Sequence, residues 1–172
     1  MGVSGAGKST VGERLAAELG WAFLDGDNLH SAANIAKMMT GIPLTDADRA
    51  PWLAAIGDGI DRWAAVGTAG VVACSALKRA YRDQLRARRP HVQLVNLDGD
   101  RDLLAARLEH RTGHFMPRGL LDSQFATLDA PAPEERSIPV DISWPLARQT
   151  GAIVAALRAR GVSLAPHAVG TL

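Results

Sequence analysis

The stretch that most constrains this chain is Gly2-Val3-Ser4-Gly5-Ala6-Gly7-Lys8-Ser9-Thr10, a complete match to the phosphate-binding pattern G-x-x-x-x-G-K-S/T. Its glycines let successive backbone N–H groups turn inward into an anion-binding nest, a conformation that residues with a Cβ adopt less easily. Lys8 supplies a point charge between the β- and γ-phosphates of a nucleotide, and the Ser9 hydroxyl is a ligand for Mg²⁺. Val11, Leu15, Ala16 and Leu19 then recur at helical spacing up to Gly20, so the loop opens a helix whose dipole also favours an anion. The plain alternative is a Gly-rich turn ahead of an unrelated helix. A loop of this type is led into by a strand, and here only Met1 stands in that place.

With 172 residues, 47% of them hydrophobic and 22% charged, the chain has the material for one domain, residues 1–172, with a proper core. A net charge of +1 gives no general reason to expect nucleic acid or an acidic membrane surface as partner. Cys74 is the only cysteine, so no intrachain disulfide forms, and its apolar surroundings point to a buried thiol in a reducing compartment. No run reaches the roughly 18 apolar residues of a membrane span, and Ala6 stands where N-terminal myristoylation wants Ser or Thr. A soluble, cytoplasmic protein is expected.

Along the chain, short apolar runs alternate with helical patterns. Trp21 to Leu24 reads as a strand ending in Asp25-Gly26-Asp27, and residues 28 to 39 are helix-compatible as far as the break at Gly41-Ile42-Pro43. Thr45 or Asp46 caps a long helix carrying Trp52, Leu53, Ile56, Ile60 and Trp63, and Pro51 predicts that this helix starts late or bends. Val71 to Cys74 and Val92 to Leu97 read as strands, with a basic helix from about Lys78 to Arg88 between them. Leu103, Leu104, Arg107 and Leu108 mark a further helix. Periodicity is lost over residues 111 to 118, which predicts a mobile loop, and a short helix spans Leu120 to Leu128. Val140 to Ser143 is a last strand, Leu146 to Arg160 a closing helix, and residues from about 162 to 172 carry little signal. Such alternation predicts a parallel sheet covered on both faces.

In such a sheet the ligand site lies beyond the carboxyl ends of the strands. Asp25 and Asp27 therefore emerge beside the phosphate loop, where one carboxylate orients Mg²⁺, usually through water, and the other accepts a proton from an attacking hydroxyl. The competing reading is an Asp-Gly turn with solvated acids. Arg107 and Arg111, one helical turn apart, are placed to close over transferring phosphates. For Lys78, Arg79 and Arg82 a solvated basic face and an anion-binding role both remain open. The same holds for His30, His114 and Gln124 as capping or surface residues against substrate ligands. The absence of N-K-x-D and D-x-x-G argues against a nucleotide-regulated switch.

Taken in order, several motifs resemble the gluconokinases. They are the phosphate loop, Asp25-Gly26-Asp27-Asn28-Leu29-His30, Lys37-Met38, Gly41-Ile42-Pro43-Leu44, Asp46 through Arg49, Pro51-Trp52-Leu53, Cys74 through Arg79, Tyr81-Arg82-Asp83, His114-Phe115 and Ser123-Gln124-Phe125. The resemblance runs from Gly2 to about Leu157. It implies a three-layer α/β/α phosphate-loop kinase fold with a parallel sheet of order 2-3-1-4-5, and ATP- and Mg²⁺-dependent phosphorylation of D-gluconate at its 6-hydroxyl. It also implies an acceptor-binding region at about 25–55 and a lid at about 107–125. By the same resemblance Lys8 clamps phosphate, Asp27 is the base or hydroxyl-orienting acid, and Arg107 and Arg111 form the lid. Asp27, His30, Lys37, Arg49, Lys78, Arg82, His114 and Gln124 are then the residues on the substrate side, and Ser9 and Asp25 those on the metal side. Family members often pair as homodimers, although no feature of this sequence demonstrates an interface. A kinase for another small acceptor, shikimate-like or a nucleotide, is the nearest alternative, and an impaired nucleotide-binding protein is the next.

The resemblance makes the segment ahead of the phosphate loop the middle strand of the sheet, which this chain nearly lacks. Two neighbours then keep unpaired buried N–H and C=O groups, each costing about 1–3 kcal/mol. The expectation is that the natural chain starts upstream, and that the chain as written is poorly stable and binds nucleotide weakly.

Overall fold

Four short strands and seven α-helices alternate along residues 1–109 and 118–164, the part of the chain that the computed structural model describes. Helix α1 (Lys8–Leu19) starts directly at the phosphate loop and stops at Gly20, whose N–H and that of Trp21 return to carbonyls of its last turn. Strand β1 (Ala22–Asp25) follows. The helix predicted from Asn28 to Met39 is divided in two. The Asp25 carboxylate accepts the Asp27 N–H and draws Gly26–Leu29 into a 3₁₀ turn, and Ser31 then caps a separate helix α2 (Ala32–Met39).

Helix α3 (Asp46–Ala65) begins ahead of Pro51 and not after it. Its Thr45–Asp48 capping box satisfies N–H groups in both directions and holds the turn before the proline in place. Strand β2 (Gly70–Ala73), helix α4 (Arg79–Arg86), strand β3 (Val95–Asp98) and helices α5 (Arg101–Glu109) and α6 (Arg118–Thr127) come next. A 3₁₀ turn (Pro133–Glu135), strand β4 (Ile138–Asp141) and helix α7 (Leu146–Ala159) complete the described chain. Val92 to Leu94, predicted to be strand, lie in the turn before β3, and β4 begins at Ile138, ahead of the predicted Val140.

The strands form two parallel pairs. Ala22, Phe23, Leu24 and Asp25 of β1 lie beside Gly70, Val71, Val72 and Ala73 of β2, and β3 pairs with β4 from Val95 beside Ile138 to Asp98 beside Asp141. Between the pairs runs Met1. Its amino group donates to the Val95 carbonyl, its carbonyl accepts the Leu97 N–H at 2.9 Å, and the Gly2 N–H reaches the Ser75 carbonyl at 3.2 Å. In the expected order 2-3-1-4-5 Met1 thus stands in the place of strand 1. What was expected to be one sheet is two half-sheets, because one residue makes ladder bonds where a whole strand is needed.

Each half-sheet has its own apolar cluster. Leu97, Ile138, Val140 and Ile142 pack with Val11 and Leu15 of α1 and Ile153 and Leu157 of α7. Cys74, Tyr81 and Leu85 pack with Trp52, Leu53 and Ile56 of α3. An ion pair crosses from one half to the other. Arg82 of α4 is fully buried, and its Nε and Nη2 donate to Glu135 Oε2 and Oε1 at 2.5 and 2.8 Å, with Nη1 on the Leu77 carbonyl at 2.9 Å. Glu135 belongs to the turn that leads into β4, and the Arg82 guanidinium beside it pushes its carboxyl down to about 2. This corrects one expectation. Arg82 is no substrate ligand, since these N–H groups are turned inward onto protein acceptors and its side chain has no exposed surface.

Two consequences can be measured. Arg82→Ala strands a buried carboxylate and should lower stability by about 3–5 kcal/mol in urea unfolding, whereas the double replacement Arg82→Met with Glu135→Leu should lose clearly less. Burial pulls the Met1 amine down from 8.0 to about 5. Between these values the unfolded chain binds the extra proton, so stability should rise as pH increases from about 5 to 8 and should carry the full penalty below that window. Acetylating the amine should flatten this part of the urea-midpoint profile.

Candidate active site

The phosphate loop wraps into the start of α1 because Gly7, at φ 85°, takes the left-handed conformation at its N-cap. Gly2 is needed for a different reason: a Cβ there would lie 2.7 Å from the Leu97 carbonyl oxygen. Lys8 folds across the loop, its Nζ donating to the Val3 carbonyl at 3.1 Å. The Ser4 N–H donates to Gln124 Oε1 at 2.7 Å, and Gln124 Nε2 returns to Ser4 Oγ at 3.0 Å. Gln124 of α6 was expected on the substrate side. The structure places both ends of its amide on the phosphate loop.

One hydrogen bond ties this loop to the end of β1. Ser9 Oγ donates to Asp25 Oδ2 at 2.5 Å, and Asp25 Oδ1 accepts the Asp27 N–H at 3.0 Å. Two hard oxygens side by side, next to an anion cradle, are the donor chemistry that Mg²⁺ takes together with phosphate and water, so Ser9 and Asp25 fit that ion. Among the described residues no cluster of three or more His, Cys, Asp or Glu side chains is arranged to hold a metal without such help. Asp27 is exposed in the 3₁₀ turn, and its carboxylate acts electrostatically on the His30 ring.

Close to Asp27 in sequence, His30 takes part in an aromatic stack. His30 stacks on Trp52 with centroids 4.5 Å apart and planes 11° from parallel, and Trp52 is held by its Nε1–H on the Gly26 carbonyl at 2.7 Å. The His30 Nδ1 is buried with no hydrogen-bond partner among the described residues, and burial lowers the ring's pKa from its ordinary value, which favours the uncharged form. Arg49 donates to the Leu44 carbonyl at 2.7 Å and to Tyr81 Oη at 3.3 Å. Lys78 Nζ contacts both Asp46 oxygens at 2.7 and 2.8 Å, and the Tyr81 hydroxyl donates to the same carboxylate. Hydrogen bonding from Lys78 holds the Asp46 carboxyl below its usual range and raises the Lys78 ammonium in turn.

Lys37 sits apart from this group, its ammonium on Asp48 Oδ1 at 2.7 Å, where it braces α2 against the first turn of α3. Arg107 reaches the segment after β4 through Nη2 on the Ile142 carbonyl at 2.7 Å. Arg111 and His114 lie outside the described residues. Reading charges along the sequence finds Arg49 and Lys78 but not Tyr81 and Asp46, which join them. The available signal was position: Tyr81 follows Lys78 by three residues on the first turn of α4, and Asp46 opens α3.

Residues 1–131 match the family model described as AAA domain. The gluconokinase of Gluconobacter oxydans is 53% identical over 140 residues, which is 81% of this chain and 79% of that protein. The crystal structure of a gluconokinase from Sinorhizobium meliloti superposes with a TM-score of 0.84 at 50% identity, covering 93% of this chain and 90% of the other. An APS kinase from Mycobacterium tuberculosis, with a TM-score of 0.67 at 21% identity over 92% and 94% of the two chains, shares the fold alone. A phosphate loop tied through Ser9 to Asp25, carried on this α/β scaffold and matched at these identities, places the chain in the gluconokinase family of phosphate-loop kinases.

Proposed function

We propose that this protein transfers the γ-phosphoryl group of ATP to the 6-hydroxyl of D-gluconate. The observation that carries the reading is the convergence of Ser9, Asp25 and Asp27 at the carboxyl end of β1, which sets an exposed carboxylate beside a corner suited to metal and phosphate. Bound ATP and Mg²⁺ supply the transferred group and neutralise its charge. Lys8 exchanges the Val3 carbonyl for phosphate oxygens, and Ser9 and Asp25 hold the metal side, Asp25 through water. Asp27 orients the acceptor hydroxyl and takes its proton. Arg107, with Arg111, closes on the phosphates as the charge moves.

The acceptor is a carboxylated polyol, and the surrounding residues suit both of its parts. The unpartnered His30 ring nitrogen beside Trp52 suits a hydroxyl. Arg49 and Lys78 suit the carboxylate, because the Asp46 contact that now occupies Lys78 is exposed and exposed ion pairs open at little cost. Lys37, held by Asp48, and His114 complete the substrate side in this reading. No described helix is long and apolar enough to cross a membrane, and the buried lone Cys74 suits the reducing cytoplasm in which gluconate and ATP meet.

ADP release coupled to gluconate, run beside shikimate and nucleoside monophosphates as acceptors, tests the assignment; no gluconate-dependent release overturns it. Lys8→Ala should abolish turnover. Asp27→Asn should lower kcat by about 10²–10⁴-fold while leaving ATP binding near its original strength, and an unchanged kcat would remove Asp27 from the reaction.

A further inference from the structure

The side chain of Gln124, on α6, closes a two-point clamp on a single residue of the phosphate loop, 120 residues away in sequence. Its Oε1 accepts the Ser4 N–H at 2.7 Å and its Nε2 donates to Ser4 Oγ at 3.0 Å. The first contact commits the Ser4 N–H to α6, so this N–H is not one of the groups that cradle an anion. The second fills a lone pair of the hydroxyl and leaves its proton to be given elsewhere, because no described residue accepts it. Glutamine is the residue type that such a clamp needs: a carboxylate cannot donate to the hydroxyl, and a lysine or arginine cannot accept the N–H.

The next loop residue is held by the preceding helix. Gly5, at φ 84°, lies so close to α5 that a Cβ on it would stand 3.1 Å from Leu108 Cγ and 3.3 Å from the Leu104 carbonyl oxygen. Helices α5 and α6 thus bear on consecutive loop residues, Gly5 and Ser4. Lys8 shows which end of the loop this is. Its Nζ rests on the carbonyl of Val3, the residue just ahead of Ser4, and this ammonium is the group that serves the β- and γ-phosphates. The Ser4 hydroxyl therefore belongs to the terminal-phosphate end of the loop.

We propose that Gln124 is a positioning residue for phosphoryl transfer, acting through Ser4, whose hydroxyl it holds with the proton turned to an oxygen of the nucleotide's terminal phosphate. The inference rests on the phosphotransfer reading given above. Unclamped, a serine side chain spreads over its staggered rotamers and its O–H rotates, so a bond to phosphate must first order both. Clamped at N–H and Oγ, the hydroxyl is ordered in advance. A donor fixed in this way gains strength as charge shifts among the phosphoryl oxygens during transfer, and it costs no reorganisation at that moment. Gln124 thus serves the nucleotide and not the acceptor, although it touches neither.

Three variants separate the parts of the clamp. Gln124→Met keeps the length and drops both contacts, Gln124→Glu keeps the acceptor for the Ser4 N–H and loses the donor to Oγ, and Ser4→Ala removes the hydroxyl alone. Gln124→Met and Ser4→Ala should each lower kcat by about 10–100-fold, the scale of one hydrogen bond to a charged group, with KM for gluconate unchanged. Gln124→Glu should lose as much, because the hydroxyl then gives its proton to the carboxylate. The double variant Ser4→Ala with Gln124→Met should be slower than either single variant by no more than about twofold, since both remove the same bond. Fully multiplied losses in the double variant overturn the proposal, and so does a raised KM for gluconate with kcat unchanged, which would put Gln124 on the acceptor. A binding arm needs no acceptor: by calorimetry, the affinity for ATP relative to ADP should fall by about three- to tenfold in Gln124→Met and in Ser4→Ala. A ratio that neither variant moves overturns the proposal whatever the acceptor, whereas no gluconate turnover by the unmutated chain counts against the acceptor assignment alone. If Gln124→Met does not fold, Ser4→Ala carries both readouts.

Discussion

The phosphate loop is anchored from behind by the hydrogen bonds of Met1 to Val95 and Leu97 and of Gly2 to Ser75. The position of Lys8 and Ser9 depends on that anchorage. The loop must meet Asp25, which belongs to the β1–β2 half, while Met1 hangs on β3 in the other half. Backbone groups inside a protein are obliged to find partners, and a parallel sheet is the structure that supplies them in register along a whole strand. Here one residue supplies them. The Ser9–Asp25 contact is therefore made across a junction, and it can be no firmer than the junction.

Other forces share the work of holding the halves together. The Arg82–Glu135 pair reaches from α4, on the β2 side, to the turn entering β4. Desolvating two charges is expensive, and their attraction and hydrogen bonds roughly offset that penalty, so the pair adds less net stability than specificity of docking. A fork of two N–H groups on two oxygens accepts only one relative placement of α4 and Glu135. Helix α1 contributes through packing, because it lies on the β4–α7 cluster while its first turn carries Ser9 toward β1.

Much of this was legible in the sequence, for identifiable reasons. The phosphate loop, α1, the place of β1 and the acids after it follow from motif chemistry and from the 3.6-residue period, both local signals. The thin entry to the loop at Met1 was legible too, and the divided sheet follows from it. The misses are of two kinds. Asn28 to Met39 reads as one helix because its apolar spacing permits it, yet the Asp25 carboxylate and the Ser31 cap offer nearer partners to the N–H groups and break it. For Arg82 and Gln124 residue type alone leaves a surface or capping role open, and only the family resemblance puts them on the substrate side. What assigns them otherwise is a partner 53 residues away in one case and 120 in the other, and no local pattern carries that information.

The residues around Asp27 are held differently from the phosphate loop. Asp27, His30, Arg49 and Lys78 are placed by short-range devices: a 3₁₀ turn, a ring stack fixed by the Trp52 N–H, a capping box at Thr45 and the Tyr81–Asp46 bridge. Each of these involves elements of the β1–β2 half. The cluster around Asp27 thus belongs to one half-sheet, and the phosphate loop to the junction between the two. A change that loosens the junction acts first on the position of Lys8 and Ser9, which the Ser9–Asp25 hydrogen bond ties to the end of β1.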